Sequence, residues 1–255
     1  KKKILKINKM ASPLAQFEIK TIIPINILNY DVSFTNSSLT MILSLLTIIS
    51  FLYLGIKKAN VIPNKIQSLV ELSYEFISGM INDNIGKEGI KYMPFVFTLF
   101  FFILIGNLIG MLPFSFTWTS HIIVTFAISF FIFLGVTGIA IYKHGIIKFL
   151  AFFAPAGVPK LMLILLIPIE IISYISRPIS LSVRLFANMM AGHTLLKVIG
   201  GFVFVLGANT FLIGGILPVA FLVALTGLEI VIAFLQAYVF AILTCLYIND
   251  AIHLH

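Results

Sequence analysis

The sequence predicts an all-α polytopic membrane protein. It combines three conventional transmembrane helices, one amphipathic interfacial helix and a C-terminal hairpin of two long tilted membrane helices. Three observations predict it. Of 255 residues, 60% are hydrophobic and 10% charged, with a mean hydropathy of +1.11; soluble domains run at about 45–50% apolar and about 25% charged. So little charge cannot coat a soluble surface, and so much apolar content excludes a disordered chain. Charge-free runs also recur at the roughly 20 residues that a helix needs to cross a hydrocarbon core of about 30 Å. Finally, the last third holds apolar stretches far longer than that.

Residues 1–34 read as an N-terminal segment and residues 35–255 as a single membrane domain. The first span, about 39–56, begins after the polar Thr35-Asn36-Ser37-Ser38 and ends at Lys57-Lys58. Residues 63–85 differ. Ile66, Leu69, Val70, Ile77, Met80 and Ile81 recur at helical spacing, while Lys65, Gln67, Glu71 and Glu75 fall largely elsewhere. Pro63 suits a helix start and Gly86 a stop, so this is an amphipathic helix for the interface or for a partner. Spans at about 93–113, with Asn107 as its main polar residue, and 122–142, closed by Lys143-His144, follow. Two apolar segments remain, about 161–206 and 210–248. As helix, the second alone would reach roughly 58 Å, about twice the core thickness. Either each segment breaks into two spans or each is one tilted helix. The polar positions favour tilt, since two perpendicular spans would put Arg184 and Glu229 near lipid for no gain. Asn209, Gly207 and Gly214-Gly215 are expected to make the turn between them.

The net charge of +8 arises from 17 Lys+Arg against 9 Asp+Glu, and five of the lysines (Lys1, Lys2, Lys3, Lys6 and Lys9) precede Met10. Subtracting those five leaves +3, and no dense basic and aromatic patch follows, so nucleic acid is excluded as a partner. The single cysteine, Cys245, rules out an intrachain disulfide and a cysteine metal site. Lysines cluster between spans one and two and after span three, while 114–121 has none. The positive-inside rule then puts the first and third connections on the cytoplasmic or matrix side. The basic N-terminus runs against this. It is expected to be the remnant of a processed leader, with Met10-Ala11-Ser12-Pro13 nearer the functional start. His144, His253 and His255 are expected to face water.

Ionisable residues at membrane depth cost several kcal/mol and mark a functional path by default. Arg184 is the most demanding, because a guanidinium cannot neutralise itself on burial. Glu170, Ser173, Arg177, Ser180, Arg184 and Asn188 stay within roughly 80° of one another on a helical wheel, a polar stripe along one face. Along the axis, Glu170 lies roughly 21 Å from Arg184, and His193 roughly 13 Å beyond it. Pro178 should bend this helix. On the second long helix Glu229, Gln236 and Tyr247 share a face. Glu229 has no charged neighbour on its own helix, and pairing it across the hairpin with His193 makes a proton relay. A permanent cation midway along a polar path fits a barrier between two half-channels better than a continuous pore. No phosphate-binding loop, zinc-protease helix, dinucleotide fingerprint or nucleophile elbow is present in the sequence.

The run Ser180-Leu181-Ser182-Val183-Arg184-Leu185-Phe186-Ala187-Asn188-Met189-Met190-Ala191-Gly192-His193 closely resembles the signature of subunit a of F-type ATP synthases. Leu225-Thr226-Gly227-Leu228-Glu229, Leu235-Gln236-Ala237-Tyr238-Val239-Phe240 and Gly106-Asn107-Leu108-Ile109-Gly110-Met111-Leu112-Pro113 extend the resemblance. Ser12-Pro13-Leu14-Ala15-Gln16-Phe17-Glu18 and Asn249-Asp250-Ala251-Ile252-His253-Leu254-His255 look like mitochondrial and alphaproteobacterial members. The resemblance implies that Arg184 faces the carboxylates of a rotor c-ring and prevents a short circuit between half-channels. It implies that His193, Glu229, Asn188 and Gln236 line the inlet half-channel and that Glu170, Ser173 and Ser180 line the outlet. Arg177, Asn107 and Tyr247 take supporting roles.

The implied function is the stator proton path that couples flow to rotation and ATP synthesis, as part of an enzyme complex and with no nucleotide site of its own. The transported ion is H+, with no cofactor and no metal. The implied partners are the c-ring, the peripheral stalk subunit b, other membrane-sector subunits and the lipid bilayer. A different class, an independent secondary transporter, would call for inverted repeats and a pocket of broken helices, and neither is evident. A composition rich in Ile, Lys, Asn and Phe, with a processed start, points to a mitochondrial inner membrane. An alphaproteobacterial plasma membrane is the alternative.

Overall fold

The computed structural model describes residues 17–27, 30–57, 60–112, 115–153, 160–209 and 216–253. The lysine-rich start, Gly214-Gly215 of the expected turn and His255 lie outside the described residues, whereas Gly207 and Asn209, expected in that turn, belong to the end of the fifth helix, whose backbone runs on through them. Six α-helices follow in order: α1 (Asn36–Ile56), α2 (Lys65–Asn84), α3 (Met93–Gly110), α4 (Ile122–Phe152), α5 (Lys160–Asn209) and α6 (Ile216–Ile252). All but α2 belong to segments long and apolar enough to cross a membrane. The chain is an all-α multi-pass membrane protein.

The fold divides into two compact units. The first combines the chain up to Ile49 with Phe102–His121 and Leu185–Ala237; the second combines Ser50–Phe101, Ile122–Arg184 and Tyr238–His255.

The first unit opens with a feature the sequence reading did not anticipate. Four short strands, β1 (Thr21–Ile23), β2 (Asn26–Ile27), β3 (Tyr30–Asp31) and β4 (Phe34–Thr35), pair antiparallel as β1 with β4 and β2 with β3. The β-branched Thr21-Ile22-Ile23 run suits this extended backbone, but two- and three-residue strands carry too little alternation to be read from sequence. Asn36 joins the strands to α1. Its Oδ1 accepts from the backbone N–H of Lys20 and of Ser37, and its Nδ2 donates to the carbonyl of Glu18. Inside α1, Thr40, Ser44 and Thr47 each donate to a carbonyl one turn back, so their hydroxyls cost little in an apolar surrounding.

Later in this unit the α5–α6 hairpin is antiparallel in its contacts. Asn188 meets Gln236, His193 meets Glu229, and a Cβ on Gly200 would touch Leu222. Leu185, Met189 and His193 form the buried stripe of α5 here, each four residues from the last; Glu229, Ala233, Gln236 and Ala237 form that of α6. Small alanines on the second stripe let helix backbones approach closely, as membrane packing favours.

In the second unit α2 starts after an extended Asn64 and ends before Gly86, whose φ of 81° is the left-handed region that glycine tolerates. Its two ends behave differently. Ile77, Met80 and Ile81 are buried, while Ile66, Leu69 and Leu72 are exposed. Val70 packs where Gly55 of α1 lacks a side chain, 2.6 Å from the Cβ that an alanine would place there. The third span also runs further than its apolar limit near Tyr142. The chain breaks at Gly145, φ 80° and ψ 160°, and continues as helix to Phe152. His144, expected in water, is half-buried and donates from Nε2 to the carbonyl of Ile252 at 3.0 Å, at the C-terminal end of α6. Lys143 pairs with Glu88 at 2.8 Å on the exposed surface. The buried residues of α4, Thr125, Ser129, Ile132, Val136 and Ala140, fall at helical spacing. Helix α5 passes through Pro168 and Pro178. Pro178 turns its carbonyl to account as an acceptor for Ser129 Oγ at 2.7 Å.

Candidate functional site

In the first unit, three elements bring polar side chains into an apolar interior. Helix α5 supplies His193, α6 supplies Glu229 and Gln236, and α3 supplies Asn107; all four are less than a tenth exposed. His193 Nδ1 lies 3.5 Å from Glu229 Oε1. On its other side, His193 Nε2 lies 3.3 Å from the hydroxyl of Thr117, in the loop before α4. Asn188 Nδ2 donates to Gln236 Oε1 at 2.8 Å, and Asn107 Nδ2 donates to the carbonyl of Ala233 at 3.4 Å.

Space for the carboxyl group comes from a glycine. A Cβ on Gly192 would sit 2.6 Å from Glu229 Oε1. Beside it an open cleft of about 590 Å³ is lined by Asn188, Ala191, Gly192, Leu225 and Glu229 among others.

Several of these polar atoms have no hydrogen-bond partner among the described residues. They are Asn107 Oδ1, Gln236 Nε2 and both carboxyl oxygens of Glu229, with Trp118 Nε1 and Thr119 Oγ1 in the loop beside α3. Buried polar groups are nearly always satisfied by protein or ordered water.

The second unit holds a cluster of another kind. Arg177 Nη1 donates to Asp250 Oδ2 at 3.0 Å, and its guanidinium lies 5.3 Å from the Tyr174 ring and 5.0 Å from the Tyr247 ring. Tyr174 hydrogen-bonds Thr137 at 2.7 Å. Tyr247, grouped in the sequence with Glu229 and Gln236, stands here against Arg177. Glu170 is half-buried, and Ser173 and Ser180 are exposed on the same helix. Arg184 is exposed and, among the described residues, makes no hydrogen bond or ion pair. Its neighbours on the exposed side of α5 are Val183, Ala187 and, one turn on, Asn188. A fixed cation bordered by small side chains can be approached closely from outside the chain.

Sequence reasoning missed Asp250, Thr117 and Gly192 as site residues. For Asp250 a signal existed: an arginine at membrane depth requires a carboxylate or aromatic faces nearby, and Asp250 is the one aspartate late in the chain. For Thr117 there was none, since only packing places the loop. Burial holds the imidazole of His121, at the end of that loop, below its usual range, and the ring stacks on Phe116 at 5.1 Å.

The model of the ATP synthase A chain family matches residues 35–249. The chain belongs to that family. It is a subunit of the membrane sector of the proton-translocating F-type ATP synthase. The relatives agree. ATP synthase subunit a of Pelagibacter ubique is 56% identical over 245 residues, covering 96% of this chain and 98% of the relative. The subunits a of Paramagnetospirillum magneticum and Rhodospirillum rubrum are each 53% identical, covering 96% of this chain and all of each relative.

Proposed function

We propose that this chain is the stator proton path of the ATP synthase membrane sector, passing protons to and from c-ring carboxylates through two half-channels. The observation that carries the reading is the buried His193–Glu229 pair, 3.5 Å apart and continued by unpaired polar atoms of Asn107 and Gln236. Neutral when protonated, a carboxyl group can take up a proton in an apolar interior at far smaller cost than a fixed charge. Asn188 and Gln236 orient the inner end of this inlet. Glu170, Ser173 and Ser180 form the outlet, with Arg177 and Tyr247 supporting its helix.

Arg184 lies on α5 between the two sets and separates them. Its charge is permanent, so a proton cannot pass it directly. The proton must travel on a rotor carboxylate that Arg184 meets and frees. One elementary charge crossing 100 mV supplies about 2.3 kcal/mol, and successive steps sum to the work of synthesis. H+ is the transported ion, and no cofactor is needed for such exchange. The c-ring meets the exposed face around Arg184, while the peripheral stalk subunit b, other membrane-sector subunits and lipid cover the remaining apolar surface. With alphaproteobacterial relatives at 53–56% identity, a bacterial plasma membrane is favoured over the mitochondrial inner membrane that composition suggested.

The test is ATP-driven acidification of inverted vesicles carrying the whole complex with Arg184→Ala. Pumping should disappear while the complex still assembles; pumping at the normal rate overturns the proposal.

A further inference from the structure

The loop between α3 and α4 carries no lysine or arginine, and its described residues include a run that is almost wholly buried. Trp118 and Thr119 are fully buried, with Thr117 and Ser120 nearly so. Two glycines of α3, one turn apart, make its seat. A Cβ on Gly110 would lie 2.5 Å from Thr117 Cγ2 and 2.6 Å from its Oγ1, and one on Gly106 would overlap the Trp118 ring. Ser120 locks the loop by donating its hydroxyl and its N–H to the carbonyl of Thr117.

The Thr117 hydroxyl has two partners and one proton. Gly110 offers a carbonyl at 3.2 Å, which can only accept. It is also among the last four carbonyls of α3, which lack a donor within their own helix. The hydroxyl proton therefore goes to Gly110, and the lone pair of Oγ1 faces His193 Nε2 at 3.3 Å. A lone pair there requires Nε2 to carry the hydrogen. In neutral imidazole the other nitrogen is then bare, and Nδ1 is the atom 3.5 Å from Glu229 Oε1.

We infer that Thr117 is a positioning residue that holds His193 in the Nε2–H form, so that Nδ1 is the only ring atom that exchanges protons with Glu229. The inference rests on the proposed proton path and adds the ring atom at which the proton is exchanged. When protonated Glu229 gives its proton, the Oε1–H bond breaks, an Nδ1–H bond forms, and carboxylate faces imidazolium. The Nε2–H bond stays intact throughout, donating to the lone pair of Thr117 Oγ1. The ring thus accepts and returns a proton at one nitrogen and does not pass it through to the loop side. Among the described residues, the charged or titratable side chains acting on this ring are Glu229 from α6 and Lys197 from α5. The loop itself offers the neutral Thr117, with His121 at its end.

The experiment uses the whole ATP synthase complex in inverted vesicles, compared as wild type, Thr117→Val and Thr117→Ser. ATP-driven pumping is followed against pH, and nitrogen-15 NMR of labelled histidine reads which ring nitrogen carries the hydrogen. The expected result is an Nε2–H ring in the wild type, and a pH profile displaced by about half a unit or more in Thr117→Val. Thr117→Ser, which keeps the hydroxyl, should restore both. An Nδ1–H ring in the wild type overturns the inference even if Thr117→Val does not assemble. So does a Thr117→Val profile identical to wild type, or a Thr117→Ser variant as impaired as the valine. A proton flux insensitive to Glu229→Gln would instead remove the path on which the inference rests, leaving the tautomer as a separate measurement.

Discussion

Two polar clusters, one in each unit, solve the problem of charge in an apolar protein in opposite ways. Around His193 and Glu229 the groups are buried, neutral in at least one protonation state and incompletely hydrogen-bonded. Around Arg177 a guanidinium that cannot lose its charge is closed in by its neighbours: Asp250 accepts from it, and it lies over the rings of Tyr174 and Tyr247. The first cluster has atoms to spare for a travelling proton. The second has spent its charges on each other. A charge that cannot be lost must be paired to be tolerated, whereas a group that can shed its charge can stand unpaired and exchange. Arg184 belongs to neither pattern, being fixed in charge, exposed and, among the described residues, without a hydrogen bond or ion pair.

The contrast can be broken at three points. The largest effect should follow Glu229→Gln, which keeps shape and hydrogen bonding but cannot titrate. Proton flux through the assembled complex should fall at least about tenfold, with the amount of complex unchanged; unchanged flux would show that the first cluster, like the second, is structural. A smaller effect should follow Gly192→Ala. Its Cβ, 2.6 Å from Glu229 Oε1, must turn the carboxyl away from His193, lowering flux about threefold with little change in stability. A drop in thermal stability without loss of flux would mean that the glycine serves packing alone. The smallest functional effect should follow Arg177→Met. Asp250 then loses its partner, but both groups are partly exposed, so the cost should be about 1 kcal/mol. Melting of the purified complex should shift by a few degrees, with flux lowered less than by either change in the first cluster. A tenfold loss of flux with unchanged melting would place Arg177 in the path itself.

Much of the architecture was legible because membrane insertion imposes simple rules on sequence. Helices α1 and α3 follow charge-free runs, and the last two helices follow apolar stretches too long for upright spans. Local conformations that depend on a few residues were not legible. The short strands of 21–35 and the break at Gly145 leave no periodic trace. The amphipathic pattern of α2 was read as one apolar face, but Ile77, Met80 and Ile81 are buried while Ile66 and Leu69 are exposed. Periodicity reports which residues share a side, and cannot report how far along a helix its neighbours extend.

By itself the sequence determined the all-α membrane class, the polar stripe on α5 with Arg184 between Glu170 and His193, and the isolation of Glu229 on its own helix. Those properties follow from one-dimensional patterns: run length, helical period and the cost of charge in hydrocarbon. Only the tertiary structure decided which groups meet. It set Thr117 and Glu229 on opposite nitrogens of His193, joined Asn188 to Gln236, closed Arg177 on Asp250 and left Arg184 open. These are contacts between residues 36 to 76 positions apart, or the absence of one. They depend on interhelical register and on where small residues such as Gly110 and Gly192 admit a neighbour, and neither leaves a mark in the spacing along a single helix.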